Sequence, residues 1–252
     1  MKTILITGAS KGIGKALAQK YGKEKNHLIL LARNEEELLS LSQEIISFGG
    51  KAEFFICDVS NKNEIKSVLD KILASNKIDL AILNAGISLH SYFDDFDSEN
   101  LLSQFNTNVF GVMYFIEILI PYFKKMGGGT IAAVSSLAEA RGLPGSSIYC
   151  STKIALSHLL EAARVELKQF GIKVITIKPG FVKTPMTDKN HFKMPLLISA
   201  EESADIITDG IEKGKRIIAF PKQMAFYSYL GKITPSFIFE KLISFSLDKL
   251  KK

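Results

Sequence analysis

The chain has 252 residues, 46% hydrophobic, 23% charged and 10% aromatic, without Trp. That composition is globular and excludes a mainly disordered, collagen-like or disulfide-scaffold protein. Lys and Arg number 32 against 26 Asp and Glu, an excess too small to require a nucleic-acid partner.

Short apolar runs alternate with longer amphipathic segments. Strands are expected at 3–7, 28–32, 53–57, 80–83, 130–135, 174–178 and 217–220. Helices are expected near 13–25, 35–48, 64–75, 99–125, 149–170 and 200–213. The strand segments are continuously apolar, as strands covered on both faces are. Repeated strand–helix alternation implies a doubly wound, Rossmann-like α/β fold: a parallel sheet of about seven strands with helices on both faces. Residues 1–220 are expected to form one domain, with 221–252 a helical extension of it. Cys57 and Cys150 have no CxxC spacing, the first strand is too short for a signal peptide, and no apolar run approaches ~20 residues. The expectation is a cytoplasmic protein that does not cross a membrane.

After the first strand, Thr7-Gly8-Ala9-Ser10-Lys11-Gly12-Ile13-Gly14 opens a helix. Glycine lets a backbone turn sharply and approach a ligand closely, and the N–H groups and dipole of the following helix attract a pyrophosphate. The spacing is Gly-x3-Gly-x-Gly, not GxGxxG.

The pattern Tyr-x3-Lys occurs twice, at Tyr21…Lys25 and Tyr149…Lys153, and seven Tyr among many Lys make it uninformative without context. Tyr21, among Lys20, Lys23 and Lys25, reads as a solvated helix end. Tyr149 opens a long helix after a Gly/Pro/Ser loop at 142–147. Residues i and i+4 share a helix face with Cβ atoms ~5–6 Å apart, which sets Lys153 by the Tyr149 hydroxyl. A phenol with pKa about 10 is too weak an acid for efficient proton transfer near neutrality. A positive charge at ~4 Å is worth roughly 4 kcal/mol at an effective dielectric of 20. That would bring the phenol about three units down, near 7.

The sequence resembles the short-chain dehydrogenase/reductase family, in its single-domain, Tyr-x3-Lys, NADP-preferring branch. The resemblance runs from Met1 to about Phe220. It rests on Thr7–Gly14, Asp58-Val59, Asn84-Ala85-Gly86, Asn108, Ser136, Tyr149-x3-Lys153, Pro179-Gly180 and Thr184 occurring in family order. It implies an NADPH-dependent oxidoreductase transferring hydride between nicotinamide and a carbonyl or secondary alcohol, and a homo-oligomer, here a homodimer. The catalytic set it implies is Asn108, Ser136, Tyr149 and Lys153. Tyr149 is the general acid/base, Lys153 lowers its pKa and holds ribose, Ser136 orients the substrate oxygen, and Asn108 holds a relay water. Ser135 and Asn106 are the competing neighbours.

The cofactor residues it implies are Gly8, Ser10, Lys11, Gly12, Ile13 and Gly14 in the turn; Arg33; Asp58 and Val59 at the adenine; and Asn84, Ala85 and Gly86. Tyr149 and Lys153 also belong to this set, and Pro179, Gly180, Val182 and Thr184 hold the nicotinamide. The second strand ends Leu31-Ala32-Arg33, with Glu35 the first acid after it. No carboxylate therefore awaits the ribose 2′-hydroxyl, and Arg33 and Lys11 suit a 2′-phosphate.

His27, His90, His158 and His191 share no metal spacing, and no metal is assigned. Cys150 reads as a packed thiol, and Asp94, Asp95, Asp97 and Glu99 as a solvated loop ending in a helix cap at Asp97 or Ser98. In this family the segment 186–198 is the flap over substrate, and its Met186, Phe192, Met194, Leu196 and Leu197 suggest an apolar, lipid-like ligand. The last 32 residues carry six Lys against Glu240 and Asp248. Phe239, Leu242, Ile243, Leu247 and Leu250 fall on one helical face, with Lys241, Lys249, Lys251 and Lys252 near its edge or end. Such a helix lies on an anionic membrane surface, or docks on its own domain or a second subunit. A catalytically silent NADP(H)-binding sensor or scaffold of the same fold is the alternative function.

Overall fold

The computed structural model describes residues 1–190 and 192–250, with side chains to residue 245. Seven strands form one sheet: β1 (Thr3–Thr7), β2 (His27–Ala32), β3 (Lys51–Ile56), β4 (Leu80–Leu83), β5 (Gly129–Val134), β6 (Ile172–Pro179) and β7 (Ile217–Phe220). Their order is β3-β2-β1-β4-β5-β6-β7, and every neighbouring pair is parallel. The register is continuous, with Ile4 opposite both Leu28 and Leu80.

Side chains alternate across the pleat, so Ile4 and Ile6 enter the core on one face and Leu5 the core on the other. The first face is covered by α1 (Gly12–Lys23), α2 (Glu35–Ser47) and α7 (Ala200–Glu212), through Leu17, Leu38, Leu41 and Ile207. The second is covered by α3 (Lys62–Ser75), α5 (Gly111–Lys125) and α6 (Ser147–Glu166), through Leu69, Phe115, Leu156 and Leu160. Local chemistry sets the helix starts: Asn34, Asn61 and Ser199 cap α2, α3 and α7 by accepting backbone N–H bonds. Asp97 does the same for α4 (Ser98–Phe105), which makes the acidic stretch a capped loop.

The single helix expected over 99–125 is interrupted. Between α4 and α5 the residues Asn106–Phe110 wind as a π-helical turn. The buried Asn108 side chain is drawn onto the segment after β4, accepting from Ile87 N and donating to Ile87 O, both at 2.8 Å. Gly111 then packs on Val59, whose carbonyl oxygen would lie 2.5 Å from any added Cβ.

Tyr21 corrects a second expectation. It is 2% exposed, with its hydroxyl unpaired, because α7 packs over the end of α1; it is a core side chain, not a solvated one. Beyond β7 the chain forms α8 (Lys222–Ile233) and α9 (Ser236–Leu250). Ser228 Oγ donates to Leu137 O at 2.9 Å and Arg141 Nε to Gly231 O at 2.7 Å; Arg141 also bonds Thr234 O and lies 5.0 Å from the Phe239 ring centroid. The expected apolar face is therefore divided: Phe239 and Ile243 are half-buried while Leu242 is exposed. The side chains of Leu247, Lys249 and Leu250, and residues His191, Lys251 and Lys252, lie outside the described residues. Among the described residues, no helix is long and apolar enough to cross a membrane, and no three His, Cys, Asp or Glu side chains cluster as metal ligands.

Candidate active site

In an open parallel sheet, ligands bind outside the carboxyl ends of the strands where the strand order reverses. Here that point lies between β1 and β4, and a cavity of about 1420 Å³ opens there.

At one end stands the glycine turn. Gly8 and Gly12 have φ of +64° and +54°, which glycine adopts without strain. A Cβ on Gly12 would sit 3.0 Å from the Thr184 methyl, so turn and flap base face each other across the cleft. A Cβ on Gly14 would lie 2.2 Å from Gly8 O and 2.6 Å from Asn84 Nδ2. Gly14 does not line the cavity; it lets α1 pack directly behind the turn. The Thr7 hydroxyl accepts from Asn84 N at 3.0 Å and Ala85 N at 3.1 Å, and Asn84 Nδ2 donates to Thr7 O and Gly8 O, clamping β4 to the turn. Apart from Gly14, all the expected cofactor residues line this one cavity, from Gly8 and Ser10 through Arg33 and Asp58 to Gly180 and Thr184.

The two cations have acidic neighbours that sequence reading passed over. Lys11 Nζ lies 2.8 Å from Glu37 Oε1, and Arg33 Nη1 lies 3.9 Å from Asp58 Oδ2. Burial disfavours the Asp58 charge, but the backbone N–H and hydroxyl of Ser60, with Arg33, hold its carboxyl below the usual range.

At the other end, Ser136 caps a short 3₁₀ turn (Leu137–Ala140) that leaves β5, its hydroxyl accepting from Ala138 N at 3.1 Å. Tyr149 and Lys153 project from the first turns of α6, with Ser136 near enough to the phenol to favour its ionised form. Lys153 is 3% exposed; its Nζ lies 5.5 Å from the Tyr149 ring centroid and donates to Val134 O at 2.9 Å. Ser135 also lines the cavity, but its hydroxyl is engaged with Glu139, the Lys153 carbonyl and Ser157.

The expected acidification of the phenol is not what this arrangement produces. Burial pushes Tyr149 up to about 12, against a lowering contribution from Ser136. Burial also lowers Lys153 to about 8, against a raising contribution from Glu139. The ammonium donates to the Val134 carbonyl and lies over the Tyr149 ring, and dehydration of the buried phenol is the dominant influence on its acidity.

Asn108 is fully buried behind the cavity wall, whereas Asn106 lines it. The Asn108 amide is spent on Ile87 and on Thr152 Oγ1 at 3.1 Å. A Cβ on Gly86 would meet Asn108 Oδ1 at 3.1 Å and Lys153 Nζ at 3.5 Å, so all three lie together. The segment 186–198 leaves from a base fastened by a Val182–Ile198 bridge and a Lys183 N to Ile198 O bond of 2.8 Å. Met186 reaches the cavity, and Phe192 packs edge-on against Phe181 with ring centroids 5.9 Å apart.

Known proteins share this architecture. The short chain dehydrogenase family model matches residues 2–194. An uncharacterized oxidoreductase of Myxococcus xanthus is 30% identical over 243 residues, 95% of each chain. A Thermococcus sibiricus alcohol dehydrogenase complexed with 5-hydroxy-NADP superposes with TM-score 0.78 at 25% identity, covering 87% of this chain and 95% of that one. A short-chain dehydrogenase/reductase from Burkholderia phymatum in complex with NAD gives TM-score 0.83 at 21% identity, covering 91% and 92%. Fold, glycine turn and family match agree: the chain belongs to the short-chain dehydrogenase/reductase family of oxidoreductases.

Proposed function

We propose that this protein is an NADPH-dependent carbonyl reductase or alcohol dehydrogenase acting on a hydrophobic, lipid-like substrate. The observation that carries the reading is the convergence of Ser136, Tyr149 and Lys153 on the cavity that the glycine turn opens at its other end. The nicotinamide cofactor supplies or accepts the hydride when bound.

The chain's own residues do the rest. Ser136 donates to the substrate oxygen and fixes it against the phenol. Tyr149, with burial holding its pKa near 12, keeps its proton across neutral pH and delivers it to the oxygen as negative charge develops there. Lys153, with a pKa of about 8, is a cation over its neutral form by about tenfold at pH 7. It holds the ribose and stabilises the phenolate left behind. Asn108 props the Lys153 cradle. Lys11 and Arg33, with no acid at the end of β2, support a 2′-phosphate, and Gly8, Ser10, Gly12 and Ile13 line the pyrophosphate end.

Met186 at the cavity and the apolar flap support an apolar carbonyl. Exposed Phe226, Tyr227, Tyr229 and Phe237 beside Lys222, Lys232 and Lys241 support a peripheral contact of the 221–252 extension with an anionic membrane surface. Exposed Leu159 and Val165 leave two separate apolar points on α6 for a second copy in a homodimer.

The test is Tyr149→Phe, assayed on acyl, steroid-like and sphingoid-like ketones with NADPH and NADH. Turnover is expected to vanish while NADPH binding, followed by nucleotide fluorescence, stays within about twofold. A Phe variant turning over at the parent rate overturns the assignment. Tight NADPH binding by the parent protein without turnover on any of these ketones would favour the sensor reading.

A further inference from the structure

We propose that Glu139 is a positioning residue for the proton-transfer pair, holding the Ser136 end of β5 against the Tyr149–Lys153 turn of α6 and supplying the counter-charge that faces Lys153. The inference rests on the roles proposed above for Tyr149 and Lys153.

Glu139 lies three residues past Ser136 in the 3₁₀ turn, and its side chain is 8% exposed. Each carboxylate oxygen is taken. Oε1 accepts from Lys178 Nζ on β6 at 2.6 Å. Oε2 lies 2.8 Å from Ser135 Oγ, at the end of β5, and also bonds Ser157 Oγ, one helical turn beyond Lys153. Ser135 Oγ in turn lies 2.9 Å from both the Lys153 carbonyl and Ser157 Oγ. One carboxylate therefore ties β5, β6 and α6 together beside the residues whose spacing proton transfer depends on. Lys178 also precedes Pro179 and Gly180 in the cavity wall.

Stability alone is a weak reason for this arrangement. A buried ion pair repays its desolvation only with good geometry, and apolar replacements are often neutral or better. What an apolar replacement would lack is charge. Facing Lys153 or its neighbours are Glu139 from the turn, Lys178 from β6, neutral Tyr149 from α6, and uncharged Ser135, Ser136 and Asn108. Glu139 favours the ammonium of Lys153 and is itself paired with Lys178, so loss of Lys178 leaves the carboxylate's charge unshared on the Lys153 side.

The test uses the full chain and three variants, Glu139→Gln, Lys178→Met and the double variant. Two readouts are taken from pH 6 to 10: kcat/KM for ketone reduction, and the NADPH Kd without substrate. The alkaline limb of the parent is expected near pH 8, where Lys153 loses its proton. Glu139→Gln should move both limbs down by about one unit, up to tenfold in activity at pH 8. Lys178→Met should move them up, and the double variant should fall between. A packing role alone would lower the melting temperature of all three and leave the limbs in place. Unmoved limbs in a folded Glu139→Gln protein, or limbs moving the same way in both single variants, overturn the proposal. Should Glu139→Gln not fold, the upward shift of Lys178→Met decides. The binding limb judges Glu139 even if the Tyr149→Phe result removes the catalytic reading.

Discussion

Lys153 should make the protein without cofactor less stable than it would be with an apolar side chain in its place. Its pKa is lowered from 10.5 to about 8 on folding because the buried ammonium has lost its water. The unfolded chain then binds more protons than the native one between pH 8 and 10.5, so the contribution of Lys153 to stability rises with pH across that window. Below pH 8 the full difference of about 2.5 units acts against folding, roughly 3 kcal/mol at about 1.36 kcal/mol per unit. Lys153→Met removes that penalty and leaves Val134 O without its donor, a loss of about 1 kcal/mol. The net gain at pH 7 is about 2 kcal/mol, or roughly 4–8 °C in melting temperature for a chain of this size. The assay is a thermal melt of the cofactor-free protein from pH 6 to 10.5, parent against Lys153→Met, with catalysis expected to be lost. The stability difference should shrink steadily above pH 8, reach zero near pH 10, and leave the variant about 1 kcal/mol less stable above pH 10.5, where only the lost Val134 bond remains. A variant less stable than the parent at pH 7, or a difference independent of pH, would refute the reasoning.

Tyr149 has the opposite sign: its pKa is raised to about 12, so the stability it confers is present below pH 10 and lost between pH 10 and 12, and Tyr149→Phe should flatten that fall in melts carried on to pH 12. Gly14→Ala forces a Cβ to 2.2 Å from Gly8 O, a backbone atom that must move, and should cost about 1–3 kcal/mol by chemical denaturation while weakening NADPH binding. Lys11→Ala and Arg33→Ala should each raise the KM for NADPH by about 10- to 100-fold and leave that for NADH unchanged, since each charge-assisted bond is worth about 1.5–3 kcal/mol; an equal change for both cofactors would refute a 2′-phosphate site. Phe226→Ser with Phe237→Ser should reduce cosedimentation with anionic vesicles and not with neutral ones, and unchanged cosedimentation would remove the membrane contact.

Much of this protein is decided by local patterns that the linear sequence carries. A parallel strand covered on both faces must be apolar throughout, so β1, β4 and β7 are legible to the residue. The glycine turn is legible because only that spacing gives positive φ at Gly8 and Gly12 and leaves α1 room to pack at Gly14. Tyr149 and Lys153 are legible as a pair in the first turns of a long helix, whereas only the family resemblance singles out Ser136 from its neighbour Ser135. Tertiary packing decided what depends on who faces whom. Tyr21 is buried because α7, almost two hundred residues away, covers it. The π turn at Asn106–Phe110 exists because Asn108 bonds Ile87, across twenty-one positions. The Tyr149 phenol is a weaker acid than its spacing to Lys153 implied, since dehydration depends on every neighbour around a group and a residue interval records only one of them. Glu139, one acid in an ordinary loop of the sequence, gains its place beside Lys153 only when β5, β6 and α6 close around it.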